Sequence, residues 1–413
     1  MNTPVLQRLP TIDMVRGVAV LGILLLNIVS FAMPDAAYFN PRAYGGWHGA
    51  DLAAWLINFL FFDGRMRGLF SFLFGASLLI VADAAEAKGD DPARVHYARM
   101  GWLLVFGFAH LWLVWHGDIL AHYALVGMAA FPLRKLPVPR LLGLGTVLVL
   151  VSTFLFGDLT VSAWHLTHST QPGGSGALKA LVETFGTPAA DHITDKLTLH
   201  RSTYTALLSQ RVAEHGTSPL SMLMVYGWET LGYMLFGMAA LRSGLLTGAW
   251  PPERYRHWFL WCWAITLPIY AALAAFVLGA KFSLFAVMLG AVTLPGLVRP
   301  VMIVGWICLI LLVMRTGSPL ATRLAAVGRM AFTNYLATSI LCTLLFYGYG
   351  AGIYGKLSRW QLYPVVLAVW TLLLLWSPLW LRHFRYGPFE WLWRSLSRAE
   401  LQPIRNSLAS RSQ

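Results

Sequence analysis

The stretch 107–122 carries the residues with the most chemistry in them: His110, His116, Asp118 and His122, set among apolar and aromatic neighbours. Imidazole is the side chain best suited to take a proton near neutral pH. His110 is the deepest of the three, about two helical turns inside an apolar run, so it is the first candidate for a general base. The histidines recur every six residues. Six residues are about 600° of helix rotation, so successive rings do not share a face and a linear metal stripe is not expected. Asp118 lies beyond a reversal at Gly117. A tight hairpin places the chain near Tyr123 opposite His110, so the expected partners of Asp118 are Arg65 or Arg67 rather than His110.

Asp63-Gly64-Arg65-Met66-Arg67 interrupts a second apolar run. These arginines either snorkel to an interface or form a cationic clamp for a substrate anion or carbonyl oxygen. Asp13 and Arg16 open the first apolar run, with Asn27 three turns, about 16 Å, further up. Asp13 either starts a helix and pairs with Arg16, or Arg16 meets an anionic cofactor. His48, in the turn-rich segment 46–51, is either a solvated loop histidine or a second candidate base. There is no GxSxG elbow, P-loop or HExxH, so covalent serine and zinc hydrolase mechanisms have no support.

The elements that must hold these groups are apolar helices. Of 413 residues, 57% are hydrophobic and only 12% are charged. A soluble domain carries about 25% charged residues, so disorder is excluded and a cytosolic enzyme is not expected. The apolar residues come in blocks long enough to cross a bilayer, which takes about 20 residues. Ten spans satisfy that length: roughly 15–33, 67–85, 98–116, 118–131, 140–157, 220–242, 256–279, 282–314, 329–349 and 361–382. The expected fold is an all-α polytopic transmembrane bundle of ten to eleven helices. The span 282–314 contains Pro295 and Pro300 and reads as one broken helix or two short crossings. The run 52–62 is too short to cross and either re-enters the membrane or extends the helix that follows. The first run lacks a small-residue cleavage pattern, so it reads as a retained span.

The formal net charge is +13. Basic loops against an anionic leaflet account for it better than nucleic acid does. With ten crossings and the N-terminus inside, inner segments hold 20 Lys and Arg and outer segments ten, so both termini are expected in the cytoplasm. The large loop 158–218 then lies outside. It opens on a Gly-rich turn at 171–176, and Ile193, Leu197, Tyr204, Leu208 and Val212 recur at helical spacing over its second half. One or two amphipathic helices are expected there. Cys262, Cys308 and Cys342 sit singly in apolar blocks and read as core residues.

Several segments resemble the YeiB-like family of bacterial inner-membrane proteins (domain of unknown function 418). They are Ile12–Leu24, Leu69–Ala76, His110 with Gly117–Leu120, Gly328–Tyr335, Phe346–Gly350 and Arg385–Arg394. The N-terminal half of that family is similar to the membrane core of heparan-α-glucosaminide N-acetyltransferase, which carries an acetyl group from cytosolic acetyl-CoA to a sugar amine. The resemblance implies an acyltransferase-like core over 1–157, an external segment 158–218 and a C-terminal membrane domain 219–413. It also implies acyl-CoA, acetyl-CoA above all, as donor and no metal. Asp13, Arg16 and Asn27 would face the donor, His110, Asp118 and His48 would form the catalytic set, and Arg65 and Arg67 would hold substrate. That enzyme's active histidine lies in the first external loop, where His48 is the nearest match. The expected partners are membrane lipids and a small-molecule or glycan acceptor, with no nucleic acid. A homodimer is one assembly the chain could form. The competing expectation is a transporter or flippase with the broken span and the buried charges lining its path.

Overall fold

A computed structural model describes residues 9–168, 175–314 and 317–406. Residues 171–174 of the turn expected at 171–176, and Arg8, Arg315 and Arg411 from the charge count, lie outside the described residues. Within them the chain is helical, with one isolated bridge, Phe384 to Arg405, and no strand. It is an all-α polytopic helical bundle of a membrane protein.

The helices run α1 (Pro10–Ala32), α2 (Ala36–Phe39), α3 (Gly49–Ile57), α4 (Arg65–Glu86), α5 (Pro92–Leu113), α6 (Leu120–Ala130) and α7 (Val138–His168). The loop helices follow, α8 (Ser175–Phe185), α9 (Ala190–His200) and α10 (Tyr204–His215). The second half holds α11 (Ser218–Arg242), α12 (Pro252–Gly279), α13 (Leu284–Val287), α14 (Pro295–Val313), α15 (Pro319–Arg329), α16 (Ala331–Phe346), α17 (Leu362–His383) and α18 (Pro388–Arg398). Two π-helical segments interrupt this order, Asn58–Phe62 after α3 and Met288–Thr293 after α13.

Six helical stretches are by themselves long and apolar enough to span a membrane: Pro10–Ala32, Gly49–Glu86, Val138–His168, Pro252–Gly279, Leu284–Val313 and Leu362–His383. The other expected crossings coincide with α5, α6, α11 and α16. Helix α6 has only 11 residues, about 16 Å of rise. It survives in an apolar bundle because nearly all of it is buried against protein, so its length need not match the lipid.

Two expectations are decided here. The stretch 282–314 is one helical stretch, Leu284–Val313, interrupted by its π segment at Met288–Thr293, and not two short crossings. Its π segment hands over to α14 at Pro295, where a missing N–H falls among donors that a helix start leaves free anyway. The run 52–62 extends α4 outward as α3 and its π segment. The turn between them, Asp63 at φ −56°, ψ 125° and Gly64 at φ 69°, ψ −22°, is of type II.

One end of the bundle, the tail side, gathers Pro10, Glu86, Arg134, Arg242 and the C-terminal segment, where Arg242 donates to the Leu136 carbonyl and Trp393 to that of Arg99. The opposite end, the loop side, is covered by α9 and α10. There Gly348 N–H donates to the His200 carbonyl, and Tyr204 donates to that of Leu113. The core against the tail side includes Val15, Ala19, Leu69, Phe72, Ile303, Ile307 and Val327. Three loop helices form, one more than the upper expectation. The inner face of α10 is Leu207 and Arg211 rather than Leu208 and Val212, and Val212 is 50% exposed. Leu207 sits in the same cluster as Trp115 and Tyr347 and fixes that rotation.

Candidate functional site

Two polar centres are buried in the bundle. The first joins α5 to α6. His110 Nδ1 lies 2.8 Å from Asp118 Oδ1, and both side chains are essentially sealed from solvent. This overturns the expectation that Asp118 would miss His110 and meet Arg65 or Arg67. The reason is local. Gly107 packs directly on the α6 backbone, where a Cβ would stand 2.3 Å from Ala121 N. That contact pairs Gly107 with Ala121, so three residues nearer the reversal on each arm His110 faces Asp118, not Tyr123. Helix α5 also ends at Leu113, so His110 is in its last turn rather than two turns in.

Asp118 does two jobs. Its Oδ1 holds the imidazole and its Oδ2 accepts from Ala121 N–H at 2.9 Å, capping α6. A carboxylate only accepts, so Nδ1 carries a proton, and a ring holding that proton alone keeps its lone pair on Nε2. Nε2 is buried and meets no hydrogen-bond partner among the described residues. The same is true of the Trp115 Nε1–H, whose ring lies 6.4 Å from that of His110 and stacks on Phe31 at 3.9 Å. The Tyr335 ring closes the other side at 5.1 Å.

The second centre lies between α4, α7, α11 and α14. Glu229 on α11 accepts from Arg67 Nη2 at 2.6 Å, from Arg299 Nη1, and from the Tyr233 hydroxyl at 2.8 Å. The triad borders a cavity of about 210 Å³, which Tyr38, Asp63, Ser152 and Tyr226 also line, with Val149, Phe156, Met222 and Val292 as apolar wall. Gly64 is in the left-handed region, and a Cβ there would stand 2.3 Å from Arg299 Nε, so the turn admits the guanidinium only because the residue is glycine. Arg65 points elsewhere. Its guanidinium donates to the carbonyls of Phe59, Leu60 and Asp63 and stacks on Tyr270 at 3.5 Å. It satisfies acceptors that the π segment leaves open, which is a structural duty.

The other expected site residues stay apart. Arg16 donates to Asp13 at 2.8 Å and to Ser77 at 2.9 Å at the tail side, and Asn27 sits half-buried further along α1. His48 is exposed just before α3, its ring on Trp47 at 3.9 Å. Glu229 and Arg299 went unread at the sequence level, although a lone carboxylate in the apolar run 220–241 was a visible signal. Also unread was a cluster on the loop side. His116 donates to Asp35 at 3.2 Å and stacks on His215 at 4.9 Å, and His200 lies flat on Tyr354 at 4.3 Å. Burial holds His200 and His215 down at about 4, with the charge of His116 adding to it. Burial pushes Asp35 up, but the hydrogen bond and charge of His116 hold it below the usual carboxylate range.

These features define the class as a polytopic helical membrane protein with two charged centres inside its bundle. Residues 240–400 match the family described as "Protein of unknown function (DUF418)". The chain is 33% identical over 408 residues to "Uncharacterized protein YeiB" of Escherichia coli (strain K12), covering 95% of this chain and 97% of that one. It is 31% identical over 426 residues to "Uncharacterized protein YxaH" of Bacillus subtilis (strain 168), covering 96% of each. It is 25% identical over 406 residues to "Uncharacterized 39.9 kDa protein in amylase 3'region" of Bacillus acidopullulyticus, again covering 96% of each. The chain belongs to this YeiB-like DUF418 family.

Proposed function

We propose that the protein is a transmembrane acyltransferase of the bacterial inner membrane that moves an acyl group from cytosolic acyl-CoA to a hydroxyl or amine acceptor. The observation that carries this reading is the sealed His110–Asp118 pair with an unpartnered Nε2. In the reaction the acceptor oxygen or nitrogen bonds to the thioester carbon as Nε2 takes its proton. The carbon–sulfur bond then breaks and the leaving thiolate receives that proton. Asp118 keeps the tautomer and steadies the imidazolium. The Trp115 Nε1–H, buried without a partner among the described residues, would meet the developing oxyanion, in place of Arg65 and Arg67, which are engaged elsewhere. Asp13, Arg16 and Asn27 on α1 would face the donor's entry. His48, exposed on the loop side, is the alternative base.

The test uses purified protein with acetyl-CoA as donor and native membrane extract as acceptor source, reading released CoA thiol. His110→Gln should be at least about a hundredfold slower while acetyl-CoA binding persists. If wild-type protein neither binds acetyl-CoA nor releases thiol, the reading fails. If His48→Gln alone is inactive, the base is the loop histidine. We place both termini in the cytoplasm and α8–α10 in the periplasm, on the excess of Lys and Arg at the tail side. Labelling of Thr194→Cys by an impermeant maleimide in cells with a permeabilised outer membrane checks this. Labelling only after the inner membrane is opened would reverse the orientation. A transporter reading is favoured by one feature, the charged cavity flanked by two π-helical segments. Counterflow of a labelled substrate in proteoliposomes would be its signature.

A further inference from the structure

The cavity beside Glu229 has donors left over. Arg299 is 8% exposed, and among the described residues its hydrogen bond goes from Nη1 to Glu229; its Nε is buried against Gly64, which leaves Nη2 as the group free of a partner. Arg67 likewise spends only Nη2 on Glu229. The Ser152 hydroxyl, in a residue 3% exposed, makes no hydrogen bond to the described residues. Glu229 is saturated by two guanidiniums and the Tyr233 hydroxyl, so it acts as a brace that fans the two arginines toward the empty volume. Arg65, behind the wall, adds a third guanidinium, and the carboxylates of Glu229 and Asp63 number two. One positive charge is left uncompensated inside an apolar bundle. Such a charge is costly unless something meets it.

We propose that this cavity binds an anionic group, a carboxylate or a phosphate, carried by a molecule with an apolar portion, and that Arg67 and Arg299 recognise it. Carboxylates and phosphates accept strongly from guanidinium N–H groups, and Arg67 Nη1 and Arg299 Nη2 make no hydrogen bond among the described residues. Val149, Phe156, Met222 and Val292 give the apolar portion its wall. The inference stands apart from the acyl-transfer reading, which uses His110.

The experiment measures binding by the full-length protein in neutral detergent. The probes are lysophosphatidic acid and, as its uncharged counterpart, monoacylglycerol, with inorganic phosphate and acetate as competitors. Lysophosphatidic acid should bind saturably and raise the melting temperature, and monoacylglycerol should bind at least about tenfold more weakly. Arg299→Lys, which keeps the charge and loses the fork, should bind more weakly than wild type and more tightly than Arg299→Gln. Arg299→Gln, and Ala291→Phe, which fills the cavity, should each lose at least about tenfold. Competition by phosphate or acetate identifies a free anion as sufficient. Its failure assigns the site to an anion borne on a lipid. Equal binding of monoacylglycerol, or no binding of any anion, overturns the proposal on wild-type protein alone. So does an Ala291→Phe variant that melts like wild type and binds lysophosphatidic acid unchanged.

Discussion

Asp118 serves His110 and α6 with different oxygens, and two substitutions can pull those duties apart. Asp118→Ala removes both. Loss of the α6 cap costs about 1 kcal/mol. The Nδ1–H of His110, buried with its acceptor gone, costs a further 1–3 kcal/mol or so. Relief of burying a carboxylate returns part of the sum, so we expect a net loss of about 2–3 kcal/mol. Asp118→Asn behaves differently. The backbone N–H of Ala121 can only donate, so the amide must keep its oxygen there and turn its NH₂ toward His110. The imidazole can adapt by moving its proton from Nδ1 to Nε2. Stability should then fall by less than about 1 kcal/mol, while the lone pair needed for proton abstraction is lost. Denaturant unfolding in detergent micelles reads the first quantity. Nitrogen-15 spectra of histidine-labelled protein read the second, as a switch of the protonated nitrogen. The reasoning is refuted if Asp118→Ala is as stable as wild type, or if Asp118→Asn keeps its proton on Nδ1. Neither measurement depends on the reaction being acyl transfer.

Glu229→Ala leaves two buried guanidiniums facing each other and should cost about 3–5 kcal/mol in the same assay. The double change with Arg299→Met should recover part of that loss, and a cycle showing no coupling would refute the ion triad. Lowering the pH should loosen α9 and α10. Above pH 6.5 His200 and His215 are neutral whether docked or free, but between about 6.5 and 4 the free helices take up protons that the docked ones resist. The protection of α9 and α10, taken relative to the intrinsic exchange rate at each pH, should therefore fall across that window, and protection unchanged from pH 7 to 4 would refute it. Glu390 accepts from Phe332 N–H at 2.7 Å, Thr333 N–H at 3.1 Å and the Thr333 hydroxyl at 2.5 Å. Glu390→Ala should cost about 1–3 kcal/mol and raise exchange in the first turn of α16, whereas unchanged exchange would mean the helix caps itself.

Spacing and length were enough to locate the spans and their order, because apolar runs bounded by Pro, Gly and charge have few ways to cross a membrane. They could not supply rotation. Helix α11 is apolar almost all round, so nothing in its own pattern says that Glu229 turns toward α4 and α14 rather than lipid. The His110–Asp118 contact was hidden for a related reason. It depends on where α6 lies against Gly107, and a hairpin drawn with a tight even turn slides the pairing by five residues. Arg65 shows the converse. It reads as a ligand-facing charge until the π segment beside it is seen to leave carbonyls in need of a donor.

The seat of Glu390 has a consequence for biogenesis. Helix α16 is 16 residues long, short for a membrane crossing, and two N–H groups at its start are satisfied by a side chain made 58 and 57 residues later. While the ribosome is still adding those residues, α16 has left the exit tunnel with its first turn unsatisfied. A helix in that state favours the polar surface of the bilayer over its interior. Its settling into the bundle is therefore tied to the arrival of α18, which also fastens to α5 through Trp393 and Arg99. A chain whose synthesis stops between Phe346 and Glu390 lacks the acceptor that the Phe332 and Thr333 N–H groups meet in the finished bundle.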